Sequence, residues 1–219
     1  MWMIRSPGVY RPQEDTDLLV RTMSEAALSP KATVLDICSG TGAVAISAAR
    51  AGAARVTAVD VSPQAIAAAW LNSRLRKLPV ELIRGDFTEL VGVRSFDVVV
   101  SNPPYVPCQQ ATTPTRGRRR AWDAGPRGRA VLDRLCPILP HLLSPQGTAL
   151  IVHSRLCGID TTLDQLRGSG LKASVVARQM IPFGPVMRGR AEWLESAGLV
   201  EPGQRHEELV VIRADRITP

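Results

Sequence analysis

Thr33-Val34-Leu35-Asp36-Ile37-Cys38-Ser39-Gly40-Thr41-Gly42 is the stretch on which the fold turns. Its first half is an apolar, partly β-branched run that reads as a buried strand, and its second half is a tight turn of small residues. The small-residue segment from Ala43 to Ala51 follows as a helix. Strand, glycine turn and helix in that order bring backbone N–H groups and a helix N-terminus toward a nucleotide-like ligand. Two glycines alone suit a plain tight turn equally well. The next strand, Arg55 to Val59, ends in Asp60, 18 residues beyond Gly42, where an acid can accept hydrogen bonds from both hydroxyls of a ribose. Ser62 followed by Pro63 already supplies an N-cap and first helical residue, which leaves Asp60 for a ligand.

Outward from this unit the chain continues to alternate strands and helices, so an α/β fold with a mostly parallel sheet is predicted. A helix is predicted over Pro63 to Lys77, with Ile66, Ala69, Trp70 and Leu75 apolar and Trp70 in the core. Val80 to Arg84 reads as a strand closing in Gly85-Asp86-Phe87. An acid and an aromatic at that strand end suit the amino group and ring face of an adenine, although the tripeptide by itself is only a turn. Phe96 to Val100 is a buried strand that delivers Asn102-Pro103-Pro104-Tyr105 to the carboxyl edge of the sheet, where open α/β sheets bind ligands. Two prolines fix φ and remove two donors, leaving a stiff corner that turns carbonyls outward. The Asn102 side-chain oxygen and the Pro103 carbonyl can each accept one N–H of a flat –NH2 group, with Tyr105 over its face. The plainer reading is a strand-ending turn with a packed tyrosine.

Beyond that corner, the basic run Arg116-Gly117-Arg118-Arg119-Arg120 reads as a solvated loop or as a clamp on an acidic partner. One helix is predicted over Leu132 to Leu143, with a turn at Ser144-Pro145-Gln146-Gly147. A strand over Thr148 to His153, a helix over Ile159 to Arg167 and two last strands, Leu171 to Ala177 and Leu209 to Ile212, complete the sheet, the last two as antiparallel neighbours at its edge. Residues 178–206 between them form an insertion with a short helix near Ala191 to Ala197; insertions of this length are often lids or docking surfaces. At the other end, residues 1–30 form an arm and a helix carrying Leu18, Leu19, Met23, Ala26 and Ala27, stopped by Pro30. The organisation expected is that arm followed by one domain over residues 31–219.

Composition narrows the function. The chain has 219 residues, of which 45% are hydrophobic, enough for one well-packed domain. No apolar run approaches the roughly 18 residues that span a bilayer, and the start of the chain lacks the apolar core of a signal peptide. The four cysteines, Cys38, Cys108, Cys136 and Cys157, have neither disulfide nor zinc-knuckle spacing, so reduced thiols in a cytoplasmic protein are expected. Three scattered histidines offer no metal-ligand spacing, and no metal is expected. The net charge of +7 favours encounter with an acidic partner such as nucleic acid or a ribonucleoprotein.

Taken together, Asp36-x-Cys38-x-Gly40-x-Gly42, Asp60, Asp86-Phe87 and Asn102-Pro103-Pro104-Tyr105 at successive strand ends resemble a class I S-adenosylmethionine-dependent methyltransferase. Within that class the chain is similar to the HemK group of protein-glutamine N5-methyltransferases, in the short form that acts on eukaryotic- and archaeal-type release factors. Tyr10-x-Pro12-x-Glu14-Asp15-Thr16, the segment Ala121-Trp122 followed by Gly125, Gly128 and Arg129, and Leu142-Leu143-Ser144-Pro145 support the likeness. It implies a Rossmann-like seven-stranded sheet with an antiparallel edge strand and helices on both faces. It also implies S-adenosyl-L-methionine as cofactor, held by Thr16, Asp36, Cys38, Gly40, Gly42, Asp60, Val61, Asp86, Phe87 and Asn102. Asn102, Pro103 and Tyr105 would act on the acceptor. The implied partners are a release factor carrying the glutamine and a small zinc-binding activator subunit; an exocyclic amine of RNA, DNA or a small molecule is the alternative acceptor. Cys38 in place of a glycine, Arg11 in place of a glutamate and the 178–206 insertion depart from the family pattern; the first and the last motivate a further reading as a non-catalytic S-adenosylmethionine-binding subunit.

Overall fold

In the computed structural model, which describes residues 2–26, 31–111, 114 and 117–217, an arm leads into helix α1 (Glu14–Glu25). The chain then runs through β1 (Thr33–Ile37), α2 (Ala43–Arg50), β2 (Arg55–Asp60), α3 (Pro63–Leu75), β3 (Val80–Arg84) and β4 (Phe96–Ser101). The second half comprises α4 (Leu132–Leu135), α5 (Leu139–Leu142), β5 (Leu143–Ser154), α6 (Ile159–Gly168), β6 (Leu171–Pro182), α7 (Pro185–Arg188), α8 (Ala191–Ser196) and β7 (His206–Arg216). Seven strands form one sheet in the order β3-β2-β1-β4-β5-β7-β6. β3, β2, β1, β4 and β5 are parallel; β7 runs antiparallel between β5 and the edge strand β6. This is the Rossmann-like arrangement the motifs implied.

Because strand order reverses between β1 and β4, their carboxyl ends diverge and open a crevice. Both strands are buried on both faces, with Val34, Leu35, Ile37, Val99 and Val100 at most 1% exposed. Fully burying such side chains contributes roughly 1.5–3 kcal/mol each, so the crevice stands on the buried centre of the sheet. α1, α2 and α3 form one layer; α4, α5 and α6 form the other.

Several elements differ from the sequence reading. Trp70 is 52% exposed, not in the core. The buried stripe of α3 is Ala65, Ala68, Ala69 and Asn72, a helical i, i+3, i+4, i+7 row of small residues, and Trp70 falls outside it. The helix expected over Leu132 to Leu143 breaks into α4, a 3-10 turn at Cys136–Ile138 and α5. Pro137 and Pro140 each lack the N–H that a continuous helix needs. The turn at Ser144 to Gly147 is a bulge inside a longer β5, since Leu143 pairs with Phe96 and Thr148 with Val98. β6 and β7 also extend beyond the predicted strands, pairing, past a bulge between Val175 and Ala177, out to Pro182 with His206. The irregular part of the 178–206 insertion is therefore 183–205. It carries α7 and α8 and builds a small core of Phe183, Met187, Leu194 and Val200 against Val106 and Leu156. Ala27 and Pro30, expected at the end of the first helix, lie outside the described residues.

Candidate active site

The crevice holds a cleft of about 380 Å³ lined by Thr16, Asp36, Cys38, Gly40, Asp60, Val61, Asp86, Phe87, Asn102, Pro103 and Tyr105. Gly42, predicted among the ligand-binding residues, is the exception: it lies behind the wall. A Cβ there would stand 3.0 Å from the Ala69 Cβ and 3.3 Å from its Cα, so Gly42 permits α3 to close against the turn.

On the β1 side, three turn residues adopt the left-handed region: Cys38 (φ 59), Gly40 (φ 54) and Gly42 (φ 78). Gly42 is the N-cap of α2 and has no side chain to offer, so the cap comes from inside β1, where Asp36 Oδ2 accepts from the Ala45 N–H at 3.0 Å. Burial pushes the Asp36 carboxyl up to about 8, against the pull of that amide and with the help of the nearby Asp60 charge. The Cys38 thiol is likewise held well above its usual range by burial and by the same two carboxylates. Asp60, which the sequence reading left for a ligand, also has a structural role. Its Oδ2 accepts from the Gly40 N–H at 2.9 Å and its Oδ1 from the Ser62 N–H at 2.8 Å, pinning the glycine turn to the end of β2. Burial raises this carboxyl, and those two amides, the Arg120 charge and the Val61 N–H oppose the rise.

At the end of β3, Asp86 caps a 3-10 turn in a reciprocal box with Glu89 and pairs with Arg134 at 2.7 Å. Burial raises the Asp86 carboxyl, but the hydrogen bonds from Arg134 and Thr88 outweigh it and hold it below the usual carboxylate range. The Arg134 guanidinium stands 5.3 Å from the centre of the buried Phe87 ring. Sequence reading missed Arg134; an arginine 48 residues away in the chain carries no local signal of this role.

The β4 end is built from distant segments. Asn102 Nδ2 donates to Thr16 Oγ1 at 3.2 Å, and the Tyr105 hydroxyl donates to Asp15 Oδ2 at 3.1 Å. Tyr10 donates to the same Asp15 oxygen at 2.9 Å. Burial, then the Asp15 charge, raises both tyrosine hydroxyls far above their ordinary range, so neither ionises. Beneath them the buried Glu207 carboxyl is also pushed up by burial, opposed by a hydrogen bond from Ser154. The Cys157 thiol donates to the Tyr105 carbonyl at 3.1 Å, and Gly128 passes so close that a Cβ there would fall 2.2 Å from that oxygen. Arg190, in the 183–205 segment, donates to the Pro107 carbonyl at 2.8 Å and pairs with the buried Asp123 at 2.5 Å. Asp123 in turn bridges to Val106. Arg129 staples the adjacent backbone, donating to the carbonyls of Cys157 and Gly158 and to Thr162. The arm that covers the cleft is tied down by the fully buried Asn72, which exchanges two hydrogen bonds with the Ile4 backbone.

All four cysteines are free. Among the described residues no His, Cys, Asp and Glu group could hold a metal ion, and no helix is long and apolar enough to cross a membrane.

Comparison with known proteins fits this geometry. Residues 1–118 match the Methyltransferase small domain family. A candidate protein N5-glutamine methyltransferase of Methanocaldococcus jannaschii is 34% identical over 83% of this chain and 90% of its own. Human Methyltransferase HEMK2 is 32% identical over 76% of this chain and 81% of its own. The chain belongs to the HemK-type protein-glutamine methyltransferases. The Release factor glutamine methyltransferase of Geobacter sulfurreducens, a longer relative, is 32% identical over 84% of this chain and 66% of its own. Among solved structures, the E. cuniculi Mtq2–Trm112 complex, described as responsible for methylation of the eRF1 translation termination factor, shares the fold at TM-score 0.61 and 22% identity, covering 95% of this chain and 99% of its own. In this HemK-type chain the departure at Cys38 concerns backbone angle more than size, because a non-glycine residue there occupies the left-handed region.

Proposed function

We propose that the cleft binds S-adenosyl-L-methionine and that the Asn102–Tyr105 corner presents a planar amide nitrogen to it, the acceptor being the glutamine side chain of the Gly-Gly-Gln loop of a peptide chain release factor. The observation that carries this reading is the sharing of one cleft by two unlike walls: a glycine turn with Asp60, Asp86 and Phe87 on one side, and Asn102 with Pro103 on the other. The first wall fits the cofactor. Asp60 accepts from the ribose hydroxyls and Phe87 offers a ring. Gly40 adds no side chain, and a Cβ there would have no neighbour nearer than 4.0 Å. Asp36, Cys38 and Val61 complete that wall, and Thr16 stands toward the methionine end.

The bound cofactor supplies an electrophilic methyl group. What the chain supplies is alignment. Asn102 Oδ1 and the Pro103 carbonyl accept the two N–H bonds of the amide, turning its lone pair toward the cofactor, while Tyr105 covers the flat face. As positive charge grows on nitrogen these acceptors bind more tightly, so they favour the transition state over the ground state. Orientation of this kind contributes up to roughly 7–11 kcal/mol. A cytoplasmic setting, with the translation machinery, follows from the acceptor.

A covering subunit of the kind solved with Mtq2 has a surface to use, since Trp70 and Leu75 are 52% and 59% exposed on α3 beside the edge strand β3. Co-expression with such a subunit should raise the soluble yield; a monodisperse, fully active single chain would remove the need for one. For the acceptor, incubation with radiolabelled cofactor and either a recombinant release factor or RNA and DNA decides. Label on the release-factor glutamine supports the reading, and label confined to nucleic acid overturns it. Asn102→Ala should lower transfer by at least about 10²-fold with cofactor affinity little changed, and unaltered turnover would refute the role of the corner.

A further inference from the structure

We infer that Asp15 is the positioning residue that fixes which way the Asn102 amide points, acting through Thr16. This rests on the acceptor role proposed for Asn102 Oδ1 and explains how that oxygen comes to face the cleft. Four donors converge on the buried Asp15 carboxylate: the Thr16 N–H at 2.6 Å and Thr16 hydroxyl at 3.2 Å on Oδ1, and the Tyr10 and Tyr105 hydroxyls at 2.9 and 3.1 Å on Oδ2. With both oxygens so supplied, Asp15 acts as acceptor only. A hydroxyl has one hydrogen, and that of Thr16 goes to Asp15. Thr16 Oγ1 can then face Asn102 only as an acceptor, so Asn102 must turn its NH2 toward it, as the 3.2 Å contact has it. An amide has two ends, and committing Nδ2 sends Oδ1 the other way.

The donor and acceptor inventory therefore decides between the two ends of the amide. A flipped Asn102 would offer two donors to the incoming –NH2 group and repel it. The same carboxylate also holds the Tyr105 hydroxyl, so both polar members of the corner are set by a single residue 87 and 90 positions earlier in the chain. Asp15 needs no contact with substrate for this.

Three variants of the full chain test the inference: Asp15→Asn, Thr16→Val and Thr16→Ser. With radiolabelled cofactor and a recombinant release factor, Asp15→Asn and Thr16→Val should each lower kcat by about 10²-fold, the scale of losing one preorganised group. In Asp15→Asn, KM for the release factor and cofactor affinity, measured calorimetrically, should move less than about threefold; Thr16 also borders the cofactor, so Thr16→Val is read on kcat and on the amide signal below. Thr16→Ser keeps the hydroxyl and should restore kcat to within about fivefold of the parent. A second readout needs no acceptor. In 15N spectra, with the signal assigned by its loss in Asn102→Asp, one Asn102 side-chain amide proton should be protected from solvent exchange in the parent and in Thr16→Ser, and unprotected in Thr16→Val and Asp15→Asn. Unchanged protection across these variants would overturn the inference, and so would a loss of cofactor affinity in Asp15→Asn that matches its loss of kcat. If Asn102→Ala itself leaves turnover intact, it is the acceptor reading that fails, whatever the amide spectra show. Should Asp15→Asn not fold, the Thr16 pair alone discriminates.

Discussion

The two walls of the cleft are held in place by different means. On the β1–β2–β3 side the carboxylates are held mainly by backbone N–H groups, most of them close by in sequence: Asp36 by Ala45, Asp60 by Ser62, Asp86 by Thr88, with Gly40 on Asp60 and Arg134 on Asp86 the longer-range contacts. On the β4 side the contacts are side-chain mediated and span long distances along the chain: Asn102 to Thr16, Tyr105 to Asp15, Asp123 to Arg190. A wall made of local turns forms whenever its strands form. A wall made of distant pieces forms only when the arm, the post-corner segment and the 183–205 segment are all docked. The acceptor wall should therefore be the easier one to break while the cofactor wall survives.

The sharpest way to break it is Gly128→Ala. The new Cβ would fall 2.2 Å from the Tyr105 carbonyl oxygen and 2.9 Å from the Cys157 sulfur, and Gly128 already sits at φ 67. A backbone carbonyl cannot swing away as a long side chain would, so the corner must move. Displacing a reacting group by about 1 Å costs on the order of 10²-fold in rate, and overpacking adds roughly 1–3 kcal/mol of destabilisation. We expect kcat to fall by that factor with cofactor affinity within about threefold, measured by turnover and calorimetry. Equal loss of both would show that the two walls are one unit.

Next in size is Arg190→Ala. It leaves Asp123, 2% exposed, without its cation and frees the Pro107 carbonyl. Removing one partner of a buried pair costs about 3 kcal/mol. Since Arg190 joins the 183–205 core to the segment behind the corner, the loss should appear first as faster proteolysis within 183–205, before any fall in thermal midpoint. Cleavage at the parental rate would mean that the small core around Phe183 and Leu194 holds the segment by itself.

The same contrast explains what could be read beforehand. The glycine turn, Asp60 at the end of β2, the Ser62 cap with Pro63, and the parallel order of strands are local patterns, and each has a physical reason within a few residues. Trp70 misled because a large aromatic outweighs alanines in an apolar pattern, although the small face is what a helix needs in order to approach a sheet closely. Gly42 was placed in the cleft because motif glycines usually face ligands, whereas its tightest neighbour is Ala69. The single helix over Leu132 to Leu143 overlooked what Pro137 and Pro140 take away. Arg134, Asn72, Arg190 and Glu207 were invisible for one shared reason: each acts on a partner that only the assembled fold brings near.

On the local wall the effects should be smaller. With its carboxyl raised by burial to about 8, Asp36 favours the neutral form in the fold. Its contribution to stability is therefore complete below the unfolded value near 4 and is lost as pH rises from there toward 8, at no more than about 1.4 kcal/mol per pH unit. Asp60 and Glu207, also raised, act in the same direction, so the comparison must be differential. Asp36→Asn, which can still accept from the Ala45 N–H, should flatten the fall of thermal midpoint between pH 5 and 8. A slope as steep as the parent's would place the titration elsewhere. Because a cation in the cleft favours the carboxylate, affinity for the sulfonium cofactor should rise over the same interval in the parent and stay level in the variant.

The smallest effect expected is at Cys38, and it has the opposite sign. A non-glycine residue at φ 59 costs roughly 1–2 kcal/mol, a cost that glycine would not bear. Against this stand the greater backbone freedom of glycine in the unfolded chain, worth about 0.5–1 kcal/mol, and the loss of a half-buried thiol that packs on the core. Cys38→Gly should thus raise stability by no more than about 1 kcal/mol, seen as a thermal midpoint higher by a few degrees. Cofactor affinity should hold, since Asp60 grips the turn through Gly40 and not through Cys38. A clear destabilisation would mean that the thiol's packing outweighs its backbone strain, and that even the local wall draws on a side chain its turn geometry does not require.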